Sequence, residues 1–355
     1  MDNEFAFQQF FLSSKPLIQE HLENIYDNAE EEYDKTAKTV RIFYLQSNQA
    51  IMTPRLIKSY LQNIPLICIN GDTYILLQNG ARISKTKYLA GMYPQLLTPL
   101  QRINARKKII AHYGKMYAEG GYMSPYKQLR TPIPVIILSI AGCQFEVDYL
   151  EYTQFFSDMP SKSSIVIRGE DKYFDRLKYY KQCYEDILLM LKSFDYMVDM
   201  INKENNTTKL GYLRVIAVGM GFFANLHLGQ NISHILLPIY MFAFHNIMKY
   251  NHFPNIHKIE FSNFRTDGLF TWKYEEVLNG TTFSTVNFKN SFDPKDIREF
   301  HIGIINPSDA FAIPGNEHDY ASVEAMLGSN TDLRLYQSYF FNPYMLSEEN
   351  YIKLK

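Results

Sequence analysis

Between residues 131 and 309 the chain alternates continuous apolar runs with longer amphipathic stretches: "IPVIILSIAG", "YFDRLKYYKQCYEDILLMLKSF", "LRVIAVGMG", "ISHILLPIYMFAFHNIMKY", "IHKIEFSNF" and "FHIGIINPSD". An apolar run of strand length without polar alternation means a strand buried on both faces, the condition of a parallel sheet under its crossover helices. The intervening stretches carry apolar residues at helical spacing. The pattern predicts an α/β domain over 131–355 with a mostly parallel sheet and helices on both faces.

Residues 1–130 read differently, as a mainly helical N-terminal extension. Leu17, Ile18, Leu22 and Ile25 fall at roughly helical spacing beside the acidic run "ENIYDNAEEEYDK", which predicts a surface helix. "PLICINGDTYILL" (65–77) places Asn70, Gly71 and Asp72 between two apolar runs, a hairpin signal. "LQRINARKKIIAHYGKMYAEGGY" is basic and helical in period until Gly120 and Gly121 stop it. No internal repeat or low-complexity tract is present.

Several functional classes are excluded or narrowed by composition. With 355 residues and 46% hydrophobic content the chain can bury the core of two domains. A formal net charge of −1 argues against wholesale binding to nucleic acid or to an anionic membrane, so any contact with a polyanion must be local. Cys68, Cys143 and Cys183 are odd in number and lack the spacing of a zinc site, which fits a reducing compartment. "MDNEFAFQQFF" has neither the charge nor the cleavage pattern of a signal peptide. "ILLPIYMFAF" is too short to span a bilayer and is expected as a buried helix. His227, His234, His245, His252 and His257 do not give the i, i+4 pair of a helical zinc site, and structural or surface roles are expected for them. No metal and no cofactor is expected.

Two loops stand at the carboxyl ends of expected strands, where ligands bind in open α/β sheets. In the first, a strand over Leu213 to Val218 ends in Gly219, Met220, Gly221, Phe222 and Phe223, before a helix that Asn231 or Ser233 caps. Glycines let the backbone approach a phosphate closely, and a tight turn without ligand has the same sequence. In the second, a strand over Ile302 to Ile305 runs into "NPSDAFAIPGNEHDY". Asp309, Glu317, Asp319, Glu324 and Asp332 crowd around this turn, where carboxylates repel one another unless a cation or a shared proton intervenes. Taken singly, each reads more readily as structural, Asp309 as a helix cap or Asx-turn residue and Glu324 as an exposed helix position; their density around one turn shifts the balance.

The stretch "NPSDAFAIPGNEHDYASVEAMLGSN" resembles the signature of the macrodomain, the α/β module that binds ADP-ribose. In that resemblance Asn306 and Asp309 fall where the family has two asparagines. Pro314, Gly315, Asn316 and Glu317 fall at its glycine turn, and Glu324 takes the place of one of the carboxylate pair of the poly(ADP-ribose) glycohydrolase branch. "IAVGMGFFA", with Val218 to Phe223, resembles the diphosphate loop, and Asp296 resembles the acid that reads the adenine amino group. The glycine quartet is reduced to Gly315, Asp309 replaces an asparagine, and the loop order is inverted, which implies a circularly permuted macrodomain. The acidic loop is similar to atypical effector macrodomains of Legionella-type bacteria, and "LSEENYIKLK" is loosely like the Glu-containing tails of type IV secretion substrates.

The resemblance implies an ADP-ribosyl hydrolase acting on a modified protein, with arginine as the expected linkage and a host cytoplasm as the place of action. The partner is then an ADP-ribosylated protein; no nucleic acid and no membrane span is expected. Cleaving an N-glycosidic bond through an oxocarbenium-like transition state requires negative charge near the ribose and a base for water. Asp309 and Glu324 are assigned those tasks, and Glu317 or Asp319 the fork to the departing guanidine. Asp296, Asn306, Pro314, Gly315, Asn316, Asp332 and Val218 to Phe223 are expected to bind ADP-ribose. A non-catalytic ADP-ribose reader and a scaffold with a degenerate macrodomain are the alternatives.

Overall fold

A computed structural model describes residues 40–45, 66–69, 72–76, 82–84, 107–119, 127–145, 154–226, 229–263, 274–287, 292–307 and 348–355. In chain order the strands of the N-terminal part are β1 (Val40–Leu45), β2 (Leu66–Ile69), β3 (Asp72–Leu76), β4 (Arg82–Ser84), β5 (Ile109–Glu119) and β6 (Lys127–Ile140). There follow β7 (Phe156–Ser157), β8 (Ser164–Val166), β9 (Tyr173–Asp175), helix α1 (Arg176–Asn205), β10 (Gly211–Val215), α2 (Ser233–Tyr250) and β11 (Ile256–Asn263). The last elements are β12 (Glu275–Leu278), β13 (Thr281–Asn287), α3 (Pro294–Glu299), β14 (His301–Pro307) and β15 (Tyr351–Leu354).

The chain is mixed α/β and divides into two compact units. One comprises Met1–Ile140, Asn290–Ile297 and Asn306–Lys355, the other Ala141–Lys289 and Arg298–Ile305. A boundary at 130/131, where the composition changes, would cut β6, which is paired to β5 from Ile110↔Ser139 to Glu119↔Lys127. The change in sequence grammar there marks increasing burial along a single strand: β6 is largely exposed up to Thr131 and almost entirely buried after Pro134.

In the first unit the strand order is β6-β5-β1-β15. β5 is antiparallel to both neighbours and β15 runs parallel to β1. The helix expected to continue through 109–119 is instead strand β5, nine of whose eleven residues are buried. Pairing on both edges satisfies its backbone, and that tertiary gain overrides a local helical period. The expected hairpin forms: β2 pairs antiparallel with β3, Ile69 opposite Asp72, and Asn70 and Gly71 themselves lie outside the described residues. The acidic run 23–35 lies outside the described residues.

In the second unit the order is β12-β13-β11-β10-β14, parallel in every pairing except β12 with β13. Register puts Gly303, Leu213, Ile259 and Phe283 in one row across four strands. Both α1 and α2 pack on this face. Phe194 of α1 fills the space over Gly211 and Gly303, where an added Cβ would lie 2.6 and 2.3 Å from its ring. Phe244 of α2 stacks on Phe283, centroids 5.2 Å apart, and meets Phe261 edge-on. Full burial of one such ring contributes roughly 2–3 kcal/mol.

The 30-residue α1 starts at Asp175, whose side chain accepts from the amides of Leu177 and Lys178, and ends at Asn206 in the left-handed region. α2 forms from the expected apolar run with Pro238 inside it. A hairpin the sequence analysis passed over joins β12 and β13. Leu278 pairs with Thr281, and Asn279 and Gly280 both take positive φ (48° and 86°), the type I′ geometry that an Asn-Gly pair signals.

Candidate functional site

β10 lies between two parallel neighbours, and the loop at its carboxyl end, 216–232, is pinned from several sides. Gly219 has φ +80°, and a Cβ on Gly142 would fall 2.4 Å from the Gly219 Cα, so two backbones cross there in contact. The Phe145 amide donates to the Phe223 carbonyl (2.7 Å) and the Ile232 amide to that of Ala224 (2.9 Å). Asn231 Nδ2 donates to the Gly221 carbonyl (3.1 Å) and to Asn225 Oδ1 (2.8 Å), while its Oδ1 accepts from the Ser233 amide at 3.0 Å. Of the two caps expected for α2, Asn231 therefore holds its first turn.

The glycines of this loop have separate roles. Gly219 serves the crossing with Gly142, a constraint that the sequence does not display. Gly221 is exposed, with no heavy atom within 4 Å of the position a Cβ would take. Among the described residues no backbone hydrogen bond engages the Gly219 or Gly221 amide, whereas those of Met220 and Ala224 reach the Ala217 and Gly221 carbonyls. Val218 and Met220 are buried, and Phe223 is half-buried.

Directly before this loop, the face of the sheet opposite α1 and α2 carries a charged row. Arg214 Nε donates to Glu260 Oε1 at 2.9 Å, with both side chains buried. Lys258 Nζ lies 3.6 Å from Glu260 Oε2 and 4.4 Å from the centre of the Tyr212 ring. Burial pushes the Tyr212 phenol well above its ordinary pKa, against the opposing pull of Arg214, so the phenol stays neutral. The Ser262 and Ser284 hydroxyls are buried on the same face with no hydrogen-bond partner among the described residues. Sequence reasoning missed this row. Its signal was the polar alternation within "YLRV" and "HKIEFSN", which buries one apolar and one charged set on opposite faces.

Asn306, at the carboxyl end of β14, is fully buried and donates from Nδ2 to Ser139 Oγ at 3.0 Å. Asp296 sits in the first turn of α3, which leads into the amino end of β14. These two expected ligand residues thus flank the strand rather than meeting. Asp309, Pro314, Gly315, Asn316, Glu317, Asp319, Glu324 and Asp332 lie outside the described residues, as does the Phe222 side chain.

Of the five histidines weighed from the sequence, the four within the described residues have local partners or exposure. His245 faces Glu276 at 3.5 Å, His252 Nδ1 lies 3.1 Å from the Asn279 carbonyl, and His257 stacks on Phe300. His234 is exposed. Among the described residues no group of three or more His, Cys, Asp or Glu could hold a metal ion, and no helix is long and apolar enough to cross a membrane. No protein-family model matches this sequence, and no curated protein matches it.

Proposed function

We propose that this chain binds the ADP-ribose group of a modified protein and hydrolyses its N-glycosidic bond, with arginine as the linked side chain. The observation that carries the reading is Gly221: an open glycine whose amide takes no backbone hydrogen bond among the described residues, in the loop that follows a strand flanked by parallel neighbours, its carbonyl held by Asn231 ahead of helix α2. Backbone amides in a loop at the carboxyl ends of parallel strands suit a diphosphate. In this reading Asp309 and Glu324 stabilise the oxocarbenium-like transition state and direct water, and Glu317 or Asp319 forks to the departing guanidine.

The second reading is a non-catalytic ADP-ribose reader, since fold and loop position do not separate binding from hydrolysis; in either reading Asn306, turned inward toward Ser139, supports the loop rather than the ribose. One experiment separates the two. The protein is incubated with arginine-, glutamate- and serine-linked ADP-ribosyl substrates beside Asp309→Ala, while calorimetry measures free ADP-ribose. Binding with release of ADP-ribose from the arginine substrate alone, abolished in the variant, supports the hydrolase. Binding without release leaves the reader, and absence of binding removes both.

A further inference from the structure

The outward stripes of α1 and α2 form one continuous face. On α1, Leu177, Tyr180, Lys181 and Tyr184 recur at helical spacing; on α2, Phe242, Asn246, Lys249 and Tyr250 do the same. The Tyr180 ring lies 5.6 Å from Phe242 and 6.1 Å from Tyr184, so the stripes touch. Asn246 Nδ2 donates to the Tyr180 hydroxyl (2.9 Å) and Asn251 Nδ2 to the Tyr184 hydroxyl (3.3 Å), which fixes both rings. Leu177, Phe242 and Tyr250 nevertheless stand 50%, 60% and 71% exposed. Arg176, Lys178 and Lys181 on α1 and Lys249 on α2 are exposed on the same stretches, Lys249 lying 5.5 Å from the Tyr250 ring centre and Arg176 donating to the Ser163 carbonyl, with Glu185 the exposed acid on that part of α1.

Exposed apolar side chains amid cations, on a chain of net charge −1, make a local basic and apolar patch that the overall charge hides. We propose that this face binds the surface of an anionic lipid bilayer. An acidic protein partner has the same charge complementarity and fits less well, because lysine is depleted at protein interfaces and three of the four cations are lysines. At a bilayer, lysine stems lie along the apolar boundary while their ammonium groups reach anionic headgroups. Tyrosine is suited to that boundary, with an apolar ring and a polar tip, and the exposed Phe242 and Leu177 enter the acyl edge. Such contact is peripheral and needs no spanning helix.

The test is co-sedimentation of the full chain with vesicles of phosphatidylcholine alone and of phosphatidylcholine mixed with phosphatidylserine. The expected result is pelleting with the mixed vesicles only, reversed by raising salt. Phe242→Ser with Tyr250→Ser, and separately Lys181→Glu with Lys249→Glu, each weaken partitioning about tenfold or more. All four residues are at the surface, so the variants retain the fold, which circular dichroism checks, and Lys181→Arg with Lys249→Arg restores binding. The proposal is overturned if the wild type stays in the supernatant with phosphatidylserine vesicles at low salt, or if the substituted chains pellet like the wild type. Neither outcome bears on ADP-ribose binding, which is measured separately.

Discussion

Arg214 and Glu260 stand side by side on parallel strands β10 and β11, their charged groups 2.9 Å apart on the sheet face that α1 and α2 leave uncovered. A buried pair of this kind is costly to create and more costly to halve, since each partner alone would be an uncompensated charge. It joins the strand that carries the glycine loop to its neighbour, with Lys258 supporting Glu260 from the next row.

Glu260→Ala is therefore expected to lower stability by about 3–5 kcal/mol. Urea denaturation followed by circular dichroism measures it. A loss below about 1 kcal/mol would mean that the pair is solvated like a surface bridge.

The two glycines Gly142 and Gly221 should respond in opposite ways. Gly142→Ala forces a Cβ to 2.4 Å from the Gly219 backbone and is expected to cost about 3 kcal/mol or more, because backbone cannot rotate aside. Gly221→Ala meets nothing and should shift stability by no more than about 0.5 kcal/mol. In calorimetry, Gly221→Ala should nonetheless weaken ADP-ribose binding if the amide there holds diphosphate; unchanged affinity would remove Gly221 from the proposed site.

Asp175 links helix α1 to the loop before it. Burial tends to raise its pKa, but hydrogen bonds from Ser163, the Lys178 amide, Ser161 and the Leu177 amide together outweigh that and hold the carboxyl below its ordinary value. Its contribution is complete above the unfolded carboxyl pKa, about 3.9, and is lost as pH falls through the lower folded value. Asp175→Ala should cost about 1 kcal/mol at neutral pH. Asp175→Asn keeps an acceptor and should flatten the stability profile below about pH 4. An unaltered acid limb in thermal melts of this variant would count against the assignment.

His301 titrates in the other direction. Burial, and then the nearby Lys209, hold its imidazole below the ordinary value, and the neutral ring donates from Nε2 to Asn202 Oδ1 at 2.9 Å. Below about pH 6.5 the unfolded chain takes up a proton that the folded chain refuses, so stability falls from there down to the folded pKa. His301→Gln should remove the part of the slope that sets in as pH falls below about 6.5, as measured by thermal melts. A steeper slope in the variant would show that other groups carry it.

The alternation of apolar runs and amphipathic stretches was enough to place β6, α1, β10, α2, β11 and β14, because the buried positions of each element keep its period in the sequence. The Asn-Gly pair at 70 and 71 signalled the β2–β3 hairpin because such a pair tolerates the positive φ of a tight turn, and the equivalent pair at 279 and 280, where both φ are positive, carried the same information. Three things depended on tertiary structure. β5 became a strand because β1 and β6 pair with both of its edges, a gain that no local period encodes. Gly219 was committed to a backbone crossing by Gly142, a residue 77 positions away in the chain. The charged row of Arg214, Lys258 and Glu260 arose only when the register of two parallel strands set those positions side by side, since sequence gives the face a side chain takes but not the neighbour it meets there.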